Sequence, residues 1–457
     1  MLGWSIPGKA PAEHGSALQL GIAGKAFAEH GSALQSGDFL ILVIEKAGPV
    51  RGTWSYPRSR KLRTMLSPTQ RDLIKATVPL LETGGEALTK HFYGRMLSQS
   101  DVARPLFNPS HQSSGDQPRA LANSVLMYAK HIDRLEALGP LVGQIVNKHV
   151  ALQILPEHYP IVGHHLLASI REVLGPDIAT DEIIDAWGAA YQMLADLLIG
   201  AEEEVYAANE KAPGGWRGAR TFRIAEKVPE SAEITSFHLV PVDGGAVVDF
   251  KPGQYIGMKL ELDGEETRRN YSLSRAANGV GYRISVKREG KGKVSNHLHD
   301  NVQVGDTLEL FAPAGDFTLV ASERPVAFIS GGVGITPTLP MLEQALASGR
   351  EVHFIHCARN GQVHAFRDFI TAKQKQHPQL HSYTCYSEAL PGDAADAEGF
   401  LSRELLEQWL PAERDVDAYF LGPKPFMAQV KKLLRDVGVP EAQSRYEFFG
   451  PAAALEA

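Results

Sequence analysis

A glycine-rich loop in the C-terminal third of the chain has the composition and position of a phosphate-binding loop. It follows the apolar run VAFIS at 326–330 and precedes an amphipathic stretch at 338–347. A strand, a glycine loop and a helix in this order present backbone amides at a helix N-terminus, where they can bind a pyrophosphate. For a glycine loop alone, a tight turn is the alternative. The loop consists of Gly331, Gly332, Val333, Gly334, Ile335 and Thr336.

A second group of polar residues suits a flavin dinucleotide. Arg269 offers a bidentate fork to a pyrophosphate, Tyr271 offers an aromatic face to the flavin ring, and Ser272 offers a hydroxyl to the polar edge of that ring. Further along, Val294 and Ser295 begin a predicted helix whose N-terminal amides can face phosphate. Taken alone, an Arg-x-Tyr-Ser string is equally compatible with a strand that carries a solvated arginine.

A third candidate is His149, which lies on the apolar stripe of a predicted helix at 138–152, together with Leu141 and Ile145. An imidazole among apolar side chains can be a metal ligand. A lone buried histidine is more often a hydrogen-bonded core residue. Its position alone therefore does not decide between the two interpretations.

Three segments of different periodicity must position these groups. From 65 to 206, apolar residues recur at helical spacing after a Ser-Pro helix start, which predicts a bundle of six or more helices. From 216 to 321 the period is two, as in YIGMKLEL and GYRISVKRE, which predicts a small antiparallel barrel. From 322 to 457 strand and helix patterns alternate, which predicts an α/β domain with a parallel sheet. Residues 207–215 are the predicted linker between the first two segments.

Length and composition are typical of a multidomain protein without a nucleic-acid or membrane signature. A chain of 457 residues is long enough for roughly three domains. The net charge of −7 leaves no excess of cations for a nucleic acid, and no apolar run reaches the roughly 20 residues of a membrane-spanning helix. Two cysteines are too few for an iron–sulfur cluster or a disulfide framework, which suits a reducing cytoplasm. We interpret Cys357 and Cys385 as buried strand residues and not as redox partners.

Residues 1–64 differ in composition and sequence pattern from the rest of the chain. GKAPAEHGSALQ at 8–19 returns as GKAFAEHGSALQ at 24–35, and the basic run RSRKLR at 58–63 comes just before Met65. We therefore expect this segment to be a non-native or poorly ordered leader, with Met65 as the first residue of the native chain. A basic targeting extension is the alternative.

Four short motifs in the helical segment resemble the haem domain of the flavohaemoglobins: Phe-Tyr at 92–93, Phe-Asn at 107–108, Asn-Lys-His at 147–149 and Leu-Pro-Glu-His-Tyr at 155–159. The flavin and nicotinamide motifs follow in the order and at the spacing seen in ferredoxin–NADP reductase-like domains. The resemblance therefore extends over residues 65–457 and implies a globin, a barrel that binds FAD and an α/β domain that binds NAD(P)H.

The resemblance implies roles for residues on both sides of a haem. His149 matches the proximal iron ligand, and Tyr159 and Glu202 match residues that form hydrogen bonds behind it. Such a network pushes electron density to the iron and favours O–O activation over oxygen storage. On the distal side, Tyr93 and Gln117 match the residues that stabilise the haem ligand, although an interfacial aromatic and a surface amide are the alternatives. The other implied haem-pocket residues are Phe107, Leu121 and Lys148.

In the reductase half, the resemblance implies two sets of binding residues. The aromatic residue that matches Phe449 lies over the flavin ring in the family. Implied FAD-binding residues are Tyr255, Arg269, Asn270, Tyr271, Ser272, Val294, Ser295, Phe448, Phe449, Gly450 and Pro451. Implied NAD(P)-binding residues are Gly331, Gly332, Val333, Gly334, Ile335, Thr336, Gly422, Pro423, Phe426 and Met427.

The function implied is that of a nitric oxide dioxygenase, an oxidoreductase that converts nitric oxide and dioxygen to nitrate at one haem b. Electrons come from NADH or NADPH through one FAD, because a nicotinamide delivers a hydride whereas haem iron accepts single electrons. The alternatives are a haem-containing flavin reductase that acts on peroxide or ferric acceptors, and a gas-sensing or oxygen-binding globin. We expect a cytoplasmic monomer with no nucleic-acid partner and no membrane span, and we leave open whether a lipid enters the distal pocket.

Overall fold

The computed structural model describes residues 66–108, residue 112 and residues 114–450. The predicted leader at 1–64, the predicted start at Met65 and the predicted FAD contact Pro451 all lie outside these residues.

The first part of the described chain is helical, as predicted. Helix α1 begins with a capping box, in which the Ser67 hydroxyl accepts a hydrogen bond from the Gln70 amide at 3.1 Å and the Gln70 side chain accepts one from the Ser67 amide at 2.9 Å. The helices described here are α1 (Pro68–Ala76), α2 (Val78–Gln99), α3 (Asp116–Lys130), α4 (Gly139–Ala151), α5 (His158–Leu174) and α6 (Asp181–Lys211).

The structure differs from the sequence prediction at the end of the helical segment. Residues 207–211 were predicted as linker, but they continue α6 as far as Lys211. The reason is local, because Ala-Ala-Asn-Glu-Lys contains no helix-breaking residue and the first proline after it is Pro213. The non-helical connection therefore begins at Ala212.

The β-rich segment forms a six-stranded antiparallel sheet with the order β4-β3-β6-β1-β2-β5. A bridge between Leu273 and Ile284 joins its two edges, so the sheet curls into the predicted barrel. Every second residue of the strands points inward, and Ile256, Met258 and Ile284 are all fully buried in its core. The elements are β1 (Arg220–Pro229), β2 (Ile234–Pro241), β3 (Tyr255–Leu262), β4 (Glu265–Ser272), β5 (Tyr282–Lys287), α7 (Lys293–Asp300) and β6 (Thr307–Leu310).

The last segment is an α/β domain with the predicted parallel sheet, in the order β10-β9-β8-β7-β11-β12. Apolar side chains fill both faces of this sheet, as expected for strands covered by helices on both sides. The elements are β7 (Val326–Gly331), α8 (Thr338–Ala347), β8 (Val352–Ala358), α9 (Arg367–Gln376), β9 (Leu380–Tyr386), β10 (Ala397–Glu398), α10 (Arg403–Trp409), β11 (Asp417–Leu421), α11 (Lys424–Asp436) and β12 (Ser444–Tyr446).

The predicted strands agree with the observed ones to within a residue or two at most positions. The apolar run at 326–330 lies within β7, and the stretch expected to be helical at 338–347 coincides with α8. None of the helices in the described residues is both long and apolar enough to cross a membrane.

Candidate functional site

A cavity of about 890 Å³ lies within the helical domain and reaches the two reductase domains. Most of the side chains around it are apolar, and the polar ones include residues singled out in the sequence. His149, Tyr159, Tyr93 and Gln117 all line it from the helices. A mainly apolar cavity with a few convergent polar groups is typical of a cofactor site.

On one side of the cavity, three side chains form a hydrogen-bond network around His149. The Nδ1 atom of His149 lies 2.7 Å from Glu202 Oε1 and 3.2 Å from the Tyr159 hydroxyl, and that hydroxyl donates to the same Glu202 oxygen at 2.6 Å. Glu202 is only 2% exposed. Burial, together with the neighbouring Glu202 carboxylate, raises the pKa of the Tyr159 phenol well above its ordinary value, so Tyr159 remains a donor.

The elements explain why these three residues meet. His149 lies in the last turn of α4, Tyr159 in the first turn of α5, and Glu202 in the C-terminal half of α6. The next residue along α6, Glu203, points away from the network and pairs with Arg217 at the surface. Because Nδ1 of His149 is occupied, Nε2 is the ring nitrogen left to ligate a metal.

On the other side of the cavity, Tyr93 is buried and forms a side-chain hydrogen bond with Gln117. Burial raises the pKa of the Tyr93 phenol well above its ordinary value, so the hydroxyl keeps its proton. Phe107 packs edge-on against the Tyr93 ring, with 5.4 Å between the ring centroids, and Leu121 adds an apolar wall. An imidazole with a free Nε2, a buried phenol across from it and apolar walls between them are features that fit a haem.

The barrel has a half-buried arginine, without an ion-pair partner among the described residues, where an anion is expected. Arg269 lies on β4, and its guanidinium donates to the Thr267 hydroxyl at 2.9 Å and to the Arg268 carbonyl at 2.7 Å. It forms no ion pair with any residue that the structure describes. Burial therefore lowers the pKa of the Arg269 guanidinium from its ordinary value. A cation in this state lacks a counter-charge, which the pyrophosphate of a flavin dinucleotide would supply.

Some of the other predicted FAD residues have side chains that are free to bind a ligand, whereas others can contribute only backbone amides. The Asn270 side-chain oxygen and the Tyr255 hydroxyl are buried without a hydrogen-bond partner among the described residues, so both can accept one from a ligand. Tyr271 lies half-buried on β4. The Ser295 hydroxyl bonds to the Gly292 carbonyl, and Val294 is part of the barrel core, so α7 can offer its first amides but not these side chains. The remaining predicted residues here are Ser272, Phe448, Phe449 and Gly450.

In the α/β domain, the predicted glycine loop lies at the carboxyl ends of β7 and β11. Gly332 has a φ of +53°, which favours glycine, and any side chain at Gly334 would collide with the carbonyl of Leu421. The Phe426 ring packs against both Gly331 and Gly422 and holds the two strand ends together. The predicted residues Val333, Ile335, Thr336, Pro423 and Met427 flank these positions, and Ile335 and Met427 are fully buried core residues.

The helix that carries His149 also contacts the barrel. The Asn147 side chain accepts a hydrogen bond from the Gly315 amide at 3.1 Å, and the Leu152 carbonyl accepts one from Arg268. A side chain at Gly257 would collide with the carbonyl of Ala151, so the helix end and β3 lie in close contact. One end of α4 therefore connects the proximal side of the cavity with the barrel.

Sequence reasoning missed a charged residue at this domain contact. Glu447 is mostly buried and lies 3.6 Å from Lys148 Nζ, and the same ammonium lies 4.8 Å from the centroid of the Tyr255 ring. Burial raises the pKa of the Glu447 carboxyl, although Lys148 opposes this effect. The signal in the sequence was a single acidic residue within the aromatic run Tyr-Glu-Phe-Phe at 446–449.

Comparisons with known proteins agree with this arrangement. Three family models match in order: Globin at residues 90–198, Oxidoreductase FAD-binding domain at 221–319, and Oxidoreductase NAD-binding domain at 328–432. The chain is 68% identical over 392 residues to a protein named Flavohemoprotein from Pseudomonas putida, and 67% identical over 393 residues to one of the same name from Pseudomonas aeruginosa. Each alignment covers 86% of this chain and 100% of the relative.

A solved structure is similar along most of the chain. The flavohemoglobin of Malassezia yamatoensis, crystallised with bound FAD and haem, superposes with a TM-score of 0.73 at 27% identity. The match covers 85% of this chain and 100% of that one.

The fold and the site define a three-domain oxidoreductase, in which a globin is joined to a reductase of the FAD- and NAD-binding type. Its cofactors are haem, FAD and a nicotinamide nucleotide. The chain belongs to the flavohemoprotein family, also called the flavohaemoglobins.

Proposed function

We propose that this protein is an NAD(P)H-dependent nitric oxide dioxygenase that oxidises nitric oxide with dioxygen to nitrate. In this reaction one NAD(P)H supports the oxidation of two nitric oxide molecules, because a hydride carries two electrons and each turnover consumes one electron. The observation that carries the proposal is the buried contact of Glu202 with His149 and Tyr159, on a helix bundle that touches a flavin reductase. Haem supplies the iron at which the two gases react, and FAD converts hydride into single electrons.

The proximal residues act by orienting and polarising the imidazole of His149. Glu202 accepts a hydrogen bond from Nδ1–H, which fixes the tautomer and makes Nε2 a stronger electron donor. Tyr159 donates to the same carboxylate and holds it in place. Because the Glu202 side chain is almost fully buried, water does not screen the charge of its carboxylate. Strong electron donation supports oxidative chemistry and is not needed for oxygen storage.

The distal residues offer a hydrogen bond in a confined, apolar space. When Gln117 donates its amide N–H to the Tyr93 oxygen, the phenol O–H points to another acceptor within the cavity. A polar diatomic molecule gains from such a donor, whereas an apolar one does not. Phe107 and Leu121 restrict the space around this donor and exclude water from it.

The domain contact supports short-range transfer of electrons. Asn147 and Lys148 contact the reductase half, and the next residue, His149, faces the haem cavity. The Lys148 ammonium also lies between Glu447 and the Tyr255 ring, where it offsets the charge of a buried carboxylate. Three consecutive residues of α4 thus connect the two halves.

The proposal is tested by measuring the concentrations of NADH, dioxygen and nitric oxide over time in one reaction that contains the holoenzyme. We expect two nitric oxide and two dioxygen molecules to be consumed per NADH, with nitrate as the product. If NADH oxidation continued at the same rate without nitric oxide and was stimulated by peroxide or ferric chelates instead, the protein would be the alternative flavin reductase. A stable dioxygen complex that nitric oxide left unchanged would indicate a sensor or an oxygen store.

A further inference from the structure

The only two cysteines of the chain lie side by side in the α/β domain. Strands β8 and β9 are parallel neighbours, and Cys357 pairs in register with Cys385. Neighbouring strands are about 4.8 Å apart, which falls within the range of Cα separations seen across disulfides, and in-register side chains point to the same face of a sheet. The interaction between the two thiols raises the pKa of Cys357 and lowers the pKa of Cys385. The two thiols therefore meet without any change in strand register.

The two cysteine residues differ in their exposure to solvent. Cys385 is 1% exposed, and its thiol donates to the Gly399 carbonyl at 3.2 Å. Cys357 is only partly buried, at the carboxyl end of β8. A small oxidant can therefore reach Cys357 first, while Cys385 lies behind it in position to react second.

The pair is also next to the predicted nicotinamide-nucleotide loop. On the side of β8 opposite to Cys385, Cys357 pairs in register with Gly331, the first residue of the glycine loop. Cys357 and Cys385 belong to the same apolar cluster as Phe426, whose ring packs against Gly331. A shift of the end of β8 toward β9 would change the position of this loop.

The sequence alone favoured two buried strand residues that are not redox partners, but Cys357 is partly exposed and lies in register with Cys385. We propose instead that Cys357 and Cys385 are a reversible dithiol–disulfide pair, which a hydroperoxide oxidises and which weakens nicotinamide-nucleotide binding when it is oxidised. The Cys357 sulfur attacks the peroxide as its proton passes to the deprotonated Cys385 sulfur, so that an S–O bond forms, the O–O bond breaks and the leaving hydroxide takes a proton from solvent to become water. The Cys385 sulfur then displaces the sulfenic hydroxyl, which leaves as a second water while the S–S bond forms. In total, two thiols lose two electrons and two protons, and hydrogen peroxide is reduced to two water molecules.

The covalent step is tested on the full-length holoenzyme with hydrogen peroxide. Because the chain contains two cysteines, the thiol count measured after denaturation should fall from two to zero. The intact mass should fall by two hydrogen atoms, digestion should yield one cross-linked peptide pair, and dithiothreitol should restore both thiols. Retention of both thiols, or stepwise addition of oxygen atoms without loss of hydrogen, would overturn the proposal.

Two matched variants establish the order of reaction. In Cys385→Ser, Cys357 should remain as a sulfenic acid that dimedone traps. In Cys357→Ser, Cys385 should react far more slowly, because it is buried. Equal trapping of the two single variants would contradict the assigned order.

The functional step is measured by anaerobic stopped-flow reduction of FAD over a range of NADH concentrations. The oxidised wild-type protein should need a severalfold higher NADH concentration for half-maximal rate, and dithiothreitol should reverse this. Both serine variants should be insensitive to peroxide in the same assay. An unchanged NADH dependence in protein that mass spectrometry shows to be cross-linked would overturn the proposed effect on binding.

Discussion

The hydroxyl of Tyr93 is the group whose removal tests the distal side of the cavity most specifically. In Tyr93→Phe the ring is kept, so its edge-on packing against Phe92 and Phe107 remains, with ring centroids 4.9 Å and 5.4 Å away. Only the donor in the apolar cavity and its hydrogen bond to Gln117 are lost. We therefore expect haem content and thermal stability to change little.

The size of the expected change in dioxygen affinity follows from the burial of the Tyr93 phenol. Tyr93 is 7% exposed, so water does not replace the lost donor. A hydrogen bond to a partly charged ligand contributes about 1–3 kcal/mol, which corresponds to roughly 5- to 150-fold in dioxygen affinity. Carbon monoxide is less polar when bound, so its affinity should change less than that of dioxygen.

The assay is stopped-flow measurement of dioxygen and carbon monoxide dissociation from the reduced protein. Tyr128→Phe is a matched control, because Tyr128 lines the same cavity but its hydroxyl already donates to the Ala190 carbonyl at 2.9 Å. Dioxygen should dissociate faster from Tyr93→Phe only. If both variants released dioxygen at the wild-type rate, Tyr93 would be a packing residue, and Gln117 would be the remaining distal donor.

Four further predictions concern the flavin site, the proximal network, a buried histidine and the N-terminal segment. Arg269→Ala should reduce FAD content while haem content is kept, because about 1.5–3 kcal/mol of charged hydrogen bonding is lost; a full complement of FAD in the purified variant would refute this. Glu202→Gln should retain haem but lower the iron–histidine stretching frequency in resonance Raman spectra and raise the haem potential, whereas the surface variant Glu203→Gln should change neither. Burial lowers the pKa of His364 to about 4 in the folded protein, so this residue should cost about 3 kcal/mol of stability as the pH falls from about 6.5 to 4. Calorimetry of His364→Gln should then show a smaller acid destabilisation than the wild type, and equal slopes would contradict the assignment. Deletion of residues 1–64 should leave haem content, FAD content and turnover unchanged, and loss of any of them on purification would show that the segment is required.

Periodicity in the sequence was sufficient to predict the secondary-structure elements and the face of each element on which a residue lies. Alternation at period two placed Ile256 and Met258 in the barrel core, and helical spacing placed His149 on the helix face that lines the cavity. These assignments depend only on local geometry, because the face of a side chain is set by its position along one helix or strand.

Long-range contacts could not be obtained in the same way. Three glutamates follow one another at 202–204, and only the packing of α6 against α4 and α5 determines that Glu202 faces His149. The resemblance to a family identified that residue, whereas periodicity did not. The pairing of Cys357 with Cys385 depends on the order and register of parallel strands, which no local pattern reveals. Likewise, Glu447 gains its role only where the C-terminal segment meets the helical domain.

The proposed dioxygenase activity is tested most directly by isotope labelling. The holoenzyme is supplied with NADH, unlabelled nitric oxide and dioxygen that carries the heavy oxygen isotope in both positions, and the nitrate is analysed by mass spectrometry. A dioxygenase predicts nitrate in which two of the three oxygen atoms are heavy, formed in proportion to the nitric oxide consumed. Nitrate with at most one heavy oxygen, or nitrite as the main product at the rate found without enzyme, would contradict the account.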